Sequence, residues 1–405
     1  ILFDPNTNTI TINDLDVYSA INAPLDPPLS ELTIDSLEYV GPAVETVVSL
    51  DAYDMHIYEE DGNYYLPLYL ASLFITGDIV NVYETDDSII LFDNGVDFDE
   101  LDYLISRSPI ESTIDVLSVS ENYLKLYFEY FYGLDEEFGF DFDVLIESYQ
   151  LDEQTTFREY YTQFDQFLID LDDIHTSLIT TGYNDTSYTP AINFEEGSRW
   201  DILYDAIGDN SCYFLTEEYD YFTEDSTMYV TVNGFSENTI YLVNDIIADS
   251  SGIEDIVIDL RCNSGGSLLG VLELMTLLTD LPIPLNVYNP QTGTYEKQNI
   301  VNYTPKALDV NFFVLTSEVT FSGGNLFASF VKDMNAGLLI GTASSGGACA
   351  IDLSVMPDGS IFVASSNVVL MNTNDEITEF GIIPDILLTE YIEYLTEFDF
   401  RSYLN

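Results

Sequence analysis

The chain has 405 residues, 46% of them hydrophobic, enough to bury a large core and to fill two or three domains. Its 72 acidic against 9 basic residues give a formal net charge of −63. That balance excludes nucleic acid and anionic membrane surfaces as partners held by charge, and the 25 Phe and 30 Tyr exclude a disordered chain.

Residues 1–98 read as a β-rich N-terminal domain. Short apolar runs such as Thr9-Ile10-Thr11-Ile12, Val47-Val48-Ser49-Leu50 and Ile89-Ile90-Leu91-Phe92 alternate with Asp, Asn, Gly and Pro clusters. His56 stands in this region and is assigned no catalytic role. Residues 99–190 change to helical spacing, with Phe157, Tyr160, Tyr161, Phe164, Phe167 and Leu168 recurring every three or four positions as a core stripe. The helix is expected to end near Asp172, leaving His175 in the turn. Trp200 and several Tyr over 191–226 suggest an ordered connector. From Met228 onward strands alternate with helices. Tyr229–Val232, Ile256–Leu260, Phe312–Thr316 and Leu338–Ile340 are the strands, Ser236 is a candidate helix cap, and residues 191–405 are expected to form one unit. The alternation implies a mostly parallel sheet covered on both faces.

The three cysteines, Cys212, Cys262 and Cys349, show no zinc spacing and read as small buried residues rather than as a disulfide with one free thiol. The chain starts at Ile1, so an upstream segment carrying a secretion signal or lipid anchor is expected. No apolar stretch approaches the roughly 20 residues needed to span a bilayer.

Serine acyl transfer needs a hydroxyl, a base and backbone donors for the oxyanion. Thr320-Phe321-Ser322-Gly323-Gly324-Asn325 places a serine between a strand and a helix, where it is either a nucleophile or an N-cap. Asp259-Leu260-Arg261-Cys262-Asn263-Ser264-Gly265-Gly266 ends a buried strand in a glycine turn able to present N–H groups to an anion. Asp172-Asp173-Ile174-His175-Thr176 supplies one of only two histidines.

Together these segments resemble the tail-specific (C-terminal processing) serine peptidases, in the wider group that includes the tricorn core protease and interphotoreceptor retinoid-binding protein. Asp-Leu-Arg-x-Asn-x-Gly-Gly at 259–266, Leu-Thr-x-x-x-x-x-Ser at 315–322, Ile340-Gly341-Thr342 with Gly346-Gly347, and Glu379-Phe380-Gly381-Ile382-Ile383-Pro384-Asp385 carry the resemblance, with Asp173-Ile174-His175-Thr176. It covers about residues 100–390 and implies an α/β core of the Clp protease/crotonase type with a helical N-terminal subdomain, while the β-rich region at 1–98 matches no named family. It also implies Ser322 as nucleophile, with the oxyanion on the N–H of Gly323 and on that of Gly265 or Gly266. The family's lysine base is absent from Gly346-Gly347-Ala348, so the histidine-type branch is implied, with His175 as base and Glu379 as its distant carboxylate. That branch has a serine where Ile174 stands. Either Thr176 substitutes for it as a relay, or Glu379 reaches the ring directly.

Further departures are Gly323-Gly324-Asn325 after the nucleophile and a gap between Thr176 and Tyr229 too short for a PDZ domain. The implied protein is an extracellular or cell-surface endopeptidase acting on peptides or unfolded segments, with no metal and no cofactor. The alternative is a catalytically silent binding protein for apolar ligands or peptides on the same fold. An acyl-CoA enzyme is disfavoured, because the negative field repels CoA phosphates.

Overall fold

A computed structural model describes residues 1–15, 31–77, 80–93, 101, 103, 105, 113–182, 184, 185, 187–189, 194–209, 212, 217–388, 392 and 395–404. The N-terminal region holds the short strands β1 (Leu2–Asp4), β2 (Thr9–Ile12), β3 (Leu32–Val40), β4 (Thr46–Ser49), β5 (Tyr58–Glu60), β6 (Asn63–Tyr65), β7 (Val80–Glu84) and β8 (Ile89–Asp93), with the short helix α1 (Leu68–Ala71) before β7. Helices α2 (Val116–Tyr130), α3 (Asp135–Phe138), α4 (Phe142–Ser148) and α5 (Phe157–Asp170) follow. The Thr156 side chain caps α5 by accepting the Glu159 N–H at 3.2 Å. The aromatic stripe of α5 is buried as its spacing predicts, through Tyr160, Tyr161, Phe164, Phe167 and Leu168. Each such side chain contributes roughly 1.5–3 kcal/mol by leaving water. Asp172, at φ +53°, breaks the chain direction just after α5.

Beyond α5 come β9 (Ser177–Thr180), α6 (Arg199–Asp209), β10 (Tyr219–Glu224), β11 (Thr227–Val232), α7 (Thr239–Asp249), β12 (Asp255–Asp259), α8 (Leu268–Met275), β13 (Ile283–Asn289), β14 (Thr294–Asn302), β15 (Asn311–Thr316), α9 (Gly323–Asp333), β16 (Leu338–Gly341), β17 (Cys349–Val355), β18 (Ile361–Met371) and β19 (Ile386–Leu387). Six strands form one sheet in the order β10-β11-β12-β15-β16-β19. All pairs from β11 to β19 are parallel, and only β10 runs antiparallel at the edge. β12 is buried along its whole length. One face packs on α7, α8 and α9 through Val243, Val271 and Phe327. The other packs Val257, Phe313 and Ile340 on Ile392 and Phe400 from the C-terminal segment. A parallel sheet needs such cover on both sides.

A second sheet, β17-β18-β13-β14-β3, is antiparallel, and β9 adds to β18. β3 joins it across a break in register between Asn299 and Ile300. Buried residues of the N-terminal region, of α2 and α5, and of β18 share one cluster, in which Tyr127 meets Phe362 edge-on. The fold is therefore mixed α/β.

Two local expectations change. Asn238, not Ser236, holds the N-cap position of α7; the Ser236 hydroxyl accepts the Asn238 N–H one turn earlier. Cys212 and Cys262 are not two separate small residues but a disulfide. Their Cα atoms stand 5.5 Å apart across a sequence separation of 50, a pairing that spacing does not reveal. Only Cys349 is free and buried among the described residues. Closing a loop of this length removes about 4 kcal/mol of unfolded-chain entropy. The double variant Cys212→Ser/Cys262→Ser should lose stability of about that size in urea unfolding; an unchanged midpoint would show that the bridge contributes nothing.

Candidate active site

Two interlocked turns position Ser322. After β15 the Ser317 N–H donates to Thr320 Oγ1 at 2.9 Å, and the Thr320 hydroxyl donates to the Leu260 carbonyl at 2.8 Å. The Ser317 hydroxyl reaches the Arg261 carbonyl at 2.6 Å. The end of β15 is thus stitched to the loop after β12. Ser322 follows with φ +51° and ψ −119°, a conformation costing on the order of 1–3 kcal/mol for a residue with a Cβ. Its N–H donates to the Gly346 carbonyl at 2.7 Å, and its carbonyl accepts the Leu326 N–H at 2.9 Å. Ser322 occupies the N-cap position of α9, yet its side chain makes no capping bond. The hydroxyl, half-buried, is not spent on the helix.

The glycine loop lies directly against it. A Cβ on Gly265 would stand 2.6 Å from Ser322 Cβ and 3.0 Å from its Oγ. A Cβ on Gly323 would stand 3.1 Å from the Gly266 nitrogen. Gly265 and Gly266 adopt φ of +113° and +122°, which glycine alone tolerates readily. Neither the Gly266 N–H nor the Gly323 N–H has a backbone acceptor among the described residues. The Gly265 N–H, by contrast, is held by Asn263 Oδ1 at 2.9 Å. The pair of free donors beside Ser322 Oγ is therefore Gly266 and Gly323, the arrangement that oxyanion stabilisation requires.

His175 lies one residue layer away. Its ring packs on Phe321 with centroids 4.5 Å apart, and a Cβ on Gly347 would stand 3.0 Å from its Cε1. Both ring nitrogens are buried without a hydrogen-bond partner. Burial pushes the imidazole pKa down to about 4; Asp173 opposes that shift and Arg199 reinforces it. The ring is neutral at pH 7 and makes no hydrogen bond to Ser322 in this structure.

Neither of the two orienting arrangements read from the sequence is formed. The Thr176 hydroxyl donates to Asp173 Oδ2 at 2.5 Å rather than meeting the imidazole. The Glu379 carboxyl accepts from Arg199 Nη2 at 2.6 Å on Oε1 and from the Ala348 N–H at 2.7 Å on Oε2. Burial raises Glu379 to about 7, against the pull of Arg199. Ile174, standing where a serine was expected, packs in an apolar cluster with Phe321 and Leu203.

Sequence reasoning gave Arg199, Asn263 and Asn325 no individual role, and took Asp173 only as one of the acids upstream of His175. Asp173 is buried and accepts from Tyr132, Thr176, Ser365 and the His175 N–H. Asn325 donates to the Thr378 carbonyl at 3.2 Å and accepts from the Ser344 hydroxyl at 2.8 Å. It ties α9 to the Glu379 loop and so gives the unusual Gly-Gly-Asn run a structural purpose. A polar residue in an otherwise apolar helix face was the available signal. Nothing in the sequence marked Arg199.

A strained serine between a parallel strand and a helix, faced by two unspent backbone donors, defines a candidate serine acyl-transfer site. Residues 226–388 match the model of Peptidase family S41. A "Probable CtpA-like serine protease" of Staphylococcus aureus (strain COL) is 24% identical over 161 residues, covering 39% of this chain and 32% of the relative. The chain thus spans about a third of the length of the curated relatives it matches. A solved structure from Parabacteroides merdae ATCC 43184, described as a candidate peptidase, superposes with a TM-score of 0.51 at 19% identity, covering 69% of this chain and 90% of that one. No helix among the described residues is long and apolar enough to cross a membrane.

Gly265→Ala should bring its methyl into Ser322 and slow the reaction of Ser322 with a fluorophosphonate by about 100-fold, the scale of a misplaced reacting group. Labelling at the wild-type rate would remove this loop from the site.

Proposed function

We propose that the chain is a serine-type endopeptidase acting on peptides or unfolded protein segments. The single observation carrying this reading is Ser322 itself, strained, uncapped and facing the Gly266 and Gly323 N–H groups. The Ser322 hydroxyl attacks the peptide carbonyl, His175 takes its proton, and the oxyanion settles between the two N–H groups. His175 then gives the proton to the leaving amine, and water resolves the acyl-enzyme by the same steps in reverse. The free nitrogens of His175 support the role of base, since no bond must break before the ring reaches the hydroxyl. Glu379, held by Arg199 and the Ala348 N–H, acts on the imidazolium through its charge rather than by contact, and Thr176 acts through Asp173 rather than as a direct relay.

The core at 191–405 is of the Clp protease/crotonase type, with a helical subdomain at 99–190 and a β-rich region at 1–98 whose strand β3 completes the core's second sheet. The Cys212–Cys262 disulfide supports an oxidising, extracellular or cell-surface location. The charge of −63 supports peptide partners and opposes nucleic acid and anionic membranes. The second reading is a silent binding protein on the same fold, favoured by the missing Ser322–His175 hydrogen bond.

Fluorophosphonate labelling followed by mass spectrometry separates the two. Wild type should carry one adduct on Ser322, Ser322→Ala none, and His175→Ala should label at least ~100-fold more slowly. No adduct between about pH 6 and 9, a range bracketing ordinary imidazole ionisation, would establish the binding protein. The pH profile has a definite sign. With His175 near 4 the base is already neutral above about pH 5. A rise in labelling centred near 7 therefore reports Glu379 becoming a carboxylate. Glu379→Gln should abolish that rise; a limb unchanged in this variant would detach Glu379 from the chemistry.

A further inference from the structure

Arg199 opens α6, in the connector where the sequence shows no catalytic motif. Its Nη2 donates to Glu379 Oε1 at 2.6 Å, to the Glu379 carbonyl at 2.8 Å and to the Ser345 carbonyl at 3.0 Å. Its Nη1 donates to the Asp172 carbonyl at 3.1 Å, and its own N–H to Asp172 Oδ1 at 2.8 Å. The guanidinium lies 5.4 Å from the centre of the exposed Phe380 ring. Three separate parts of the site therefore meet on one side chain. The Asp172 turn leads into Asp173 and His175. The Ser345 loop segment leads into Gly346, whose carbonyl receives the Ser322 N–H. The third part is Glu379, whose carbonyl in turn receives the Gly347 N–H at 3.2 Å.

From this geometry we infer that Arg199 is a positioning residue for the acyl-transfer reaction, fixing Glu379 and the 345–348 loop so that Ser322 and His175 hold their places. The inference rests on the peptidase reading given above. A planar guanidinium can serve several acceptors lying in different directions, whereas an ammonium acts as a point charge. One of only nine basic residues in a chain with 72 acids is committed here, against a carboxyl that is fully buried. An uncompensated buried acid is costly, so removal of Arg199 leaves Glu379 protonated over a wider range and frees the loop. The groups around Glu379 are Arg199 from α6, Asp173 from the turn before β9, Tyr132 at the end of α2, and Cys349 with the Ala348 N–H at the start of β17. Of these only Arg199 brings positive charge.

The test compares wild type, Arg199→Met and Arg199→Lys in the full chain by fluorophosphonate kinetics from pH 5 to 9, with amide hydrogen exchange beside it. Arg199→Met should lower the maximal labelling rate about 100-fold, the scale of a misplaced catalytic group, with half-saturation by the probe little changed. Its limb near pH 7 should move to higher pH. Arg199→Lys should keep the limb near its wild-type position while recovering only part of the rate. Exchange at Ser322, Gly347 and Ala348 should quicken at least about tenfold in Arg199→Met with β12 unchanged, as local opening requires. A variant that merely unfolds in part would lose labelled fraction without moving the limb, and that result overturns the inference. Unchanged rate, limb and exchange overturn it also. A wild type that takes no label refutes the peptidase reading instead, and the exchange at these three amides then decides the inference alone.

Discussion

The hydrogen bond from the Ser322 N–H to the Gly346 carbonyl, at 2.7 Å, is the constraint on which the rest of the site depends. It holds the serine in a conformation that its own Cβ disfavours. To receive that N–H, the chain at Gly346 must run flat against Glu379: a Cβ there would lie 1.7 Å from the Glu379 carbonyl oxygen. Gly381 answers from the other side, where a Cβ would lie 1.9 Å from the Ser344 carbonyl oxygen. Two loops more than thirty residues apart in sequence thus interlock through missing side chains and are bolted by backbone bonds between Ser344 and Ile382 and between Gly347 and Glu379. A strained residue persists only where its surroundings over-determine it, and here they do.

Charge is handled in opposite ways inside and outside. The exterior carries most of the negative excess and leaves it to solvent and counterions. The interior admits few acids near the site and gives each a full set of donors. Asp173 receives three hydroxyls and a backbone N–H; Glu379 receives a guanidinium and a backbone N–H. The two solutions have different electrostatic consequences. Hydroxyl and amide donors add no charge, whereas the guanidinium bound to Glu379 is a cation whose field depresses the imidazole further. The neutrality of His175 therefore follows from burial first and from this cation second.

The parallel sheet was legible because its strands are short, apolar and separated by helical spacing. Ile256–Leu260 and Phe312–Thr316 could scarcely be anything else in a chain of this pattern. The α5 stripe was legible for the same reason. β3 was not, since its partner β14 lies more than 250 residues onward and its own residues are mostly exposed. β13, β14, β17 and β18 were not assigned either: β18 is buried on nearly every residue, so it lacks the alternation that signals a half-buried strand. Within the site, Ser322 and the paired glycines were legible through their position between a strand and a helix. The Cys212–Cys262 bridge and Arg199 were not, because both act through contacts that only the folded chain creates.

Stability alone does not account for this cluster. A serine kept as a helix cap would contribute about 1 kcal/mol through its side-chain bond, but Ser322 makes no such bond and sits in a conformation costing on the order of 1–3 kcal/mol. Beside it two backbone N–H groups lack acceptors, and a neutral imidazole keeps both nitrogens without partners in a buried place. Buried polar groups are paired nearly everywhere in folded proteins, and each exception needs a cause. Here the exceptions gather around one serine: its own uncapped hydroxyl, the two imidazole nitrogens of His175, and the Gly266 and Gly323 N–H groups. An acceptor bound beside Ser322 would satisfy the unpaired N–H groups that the free protein leaves costly.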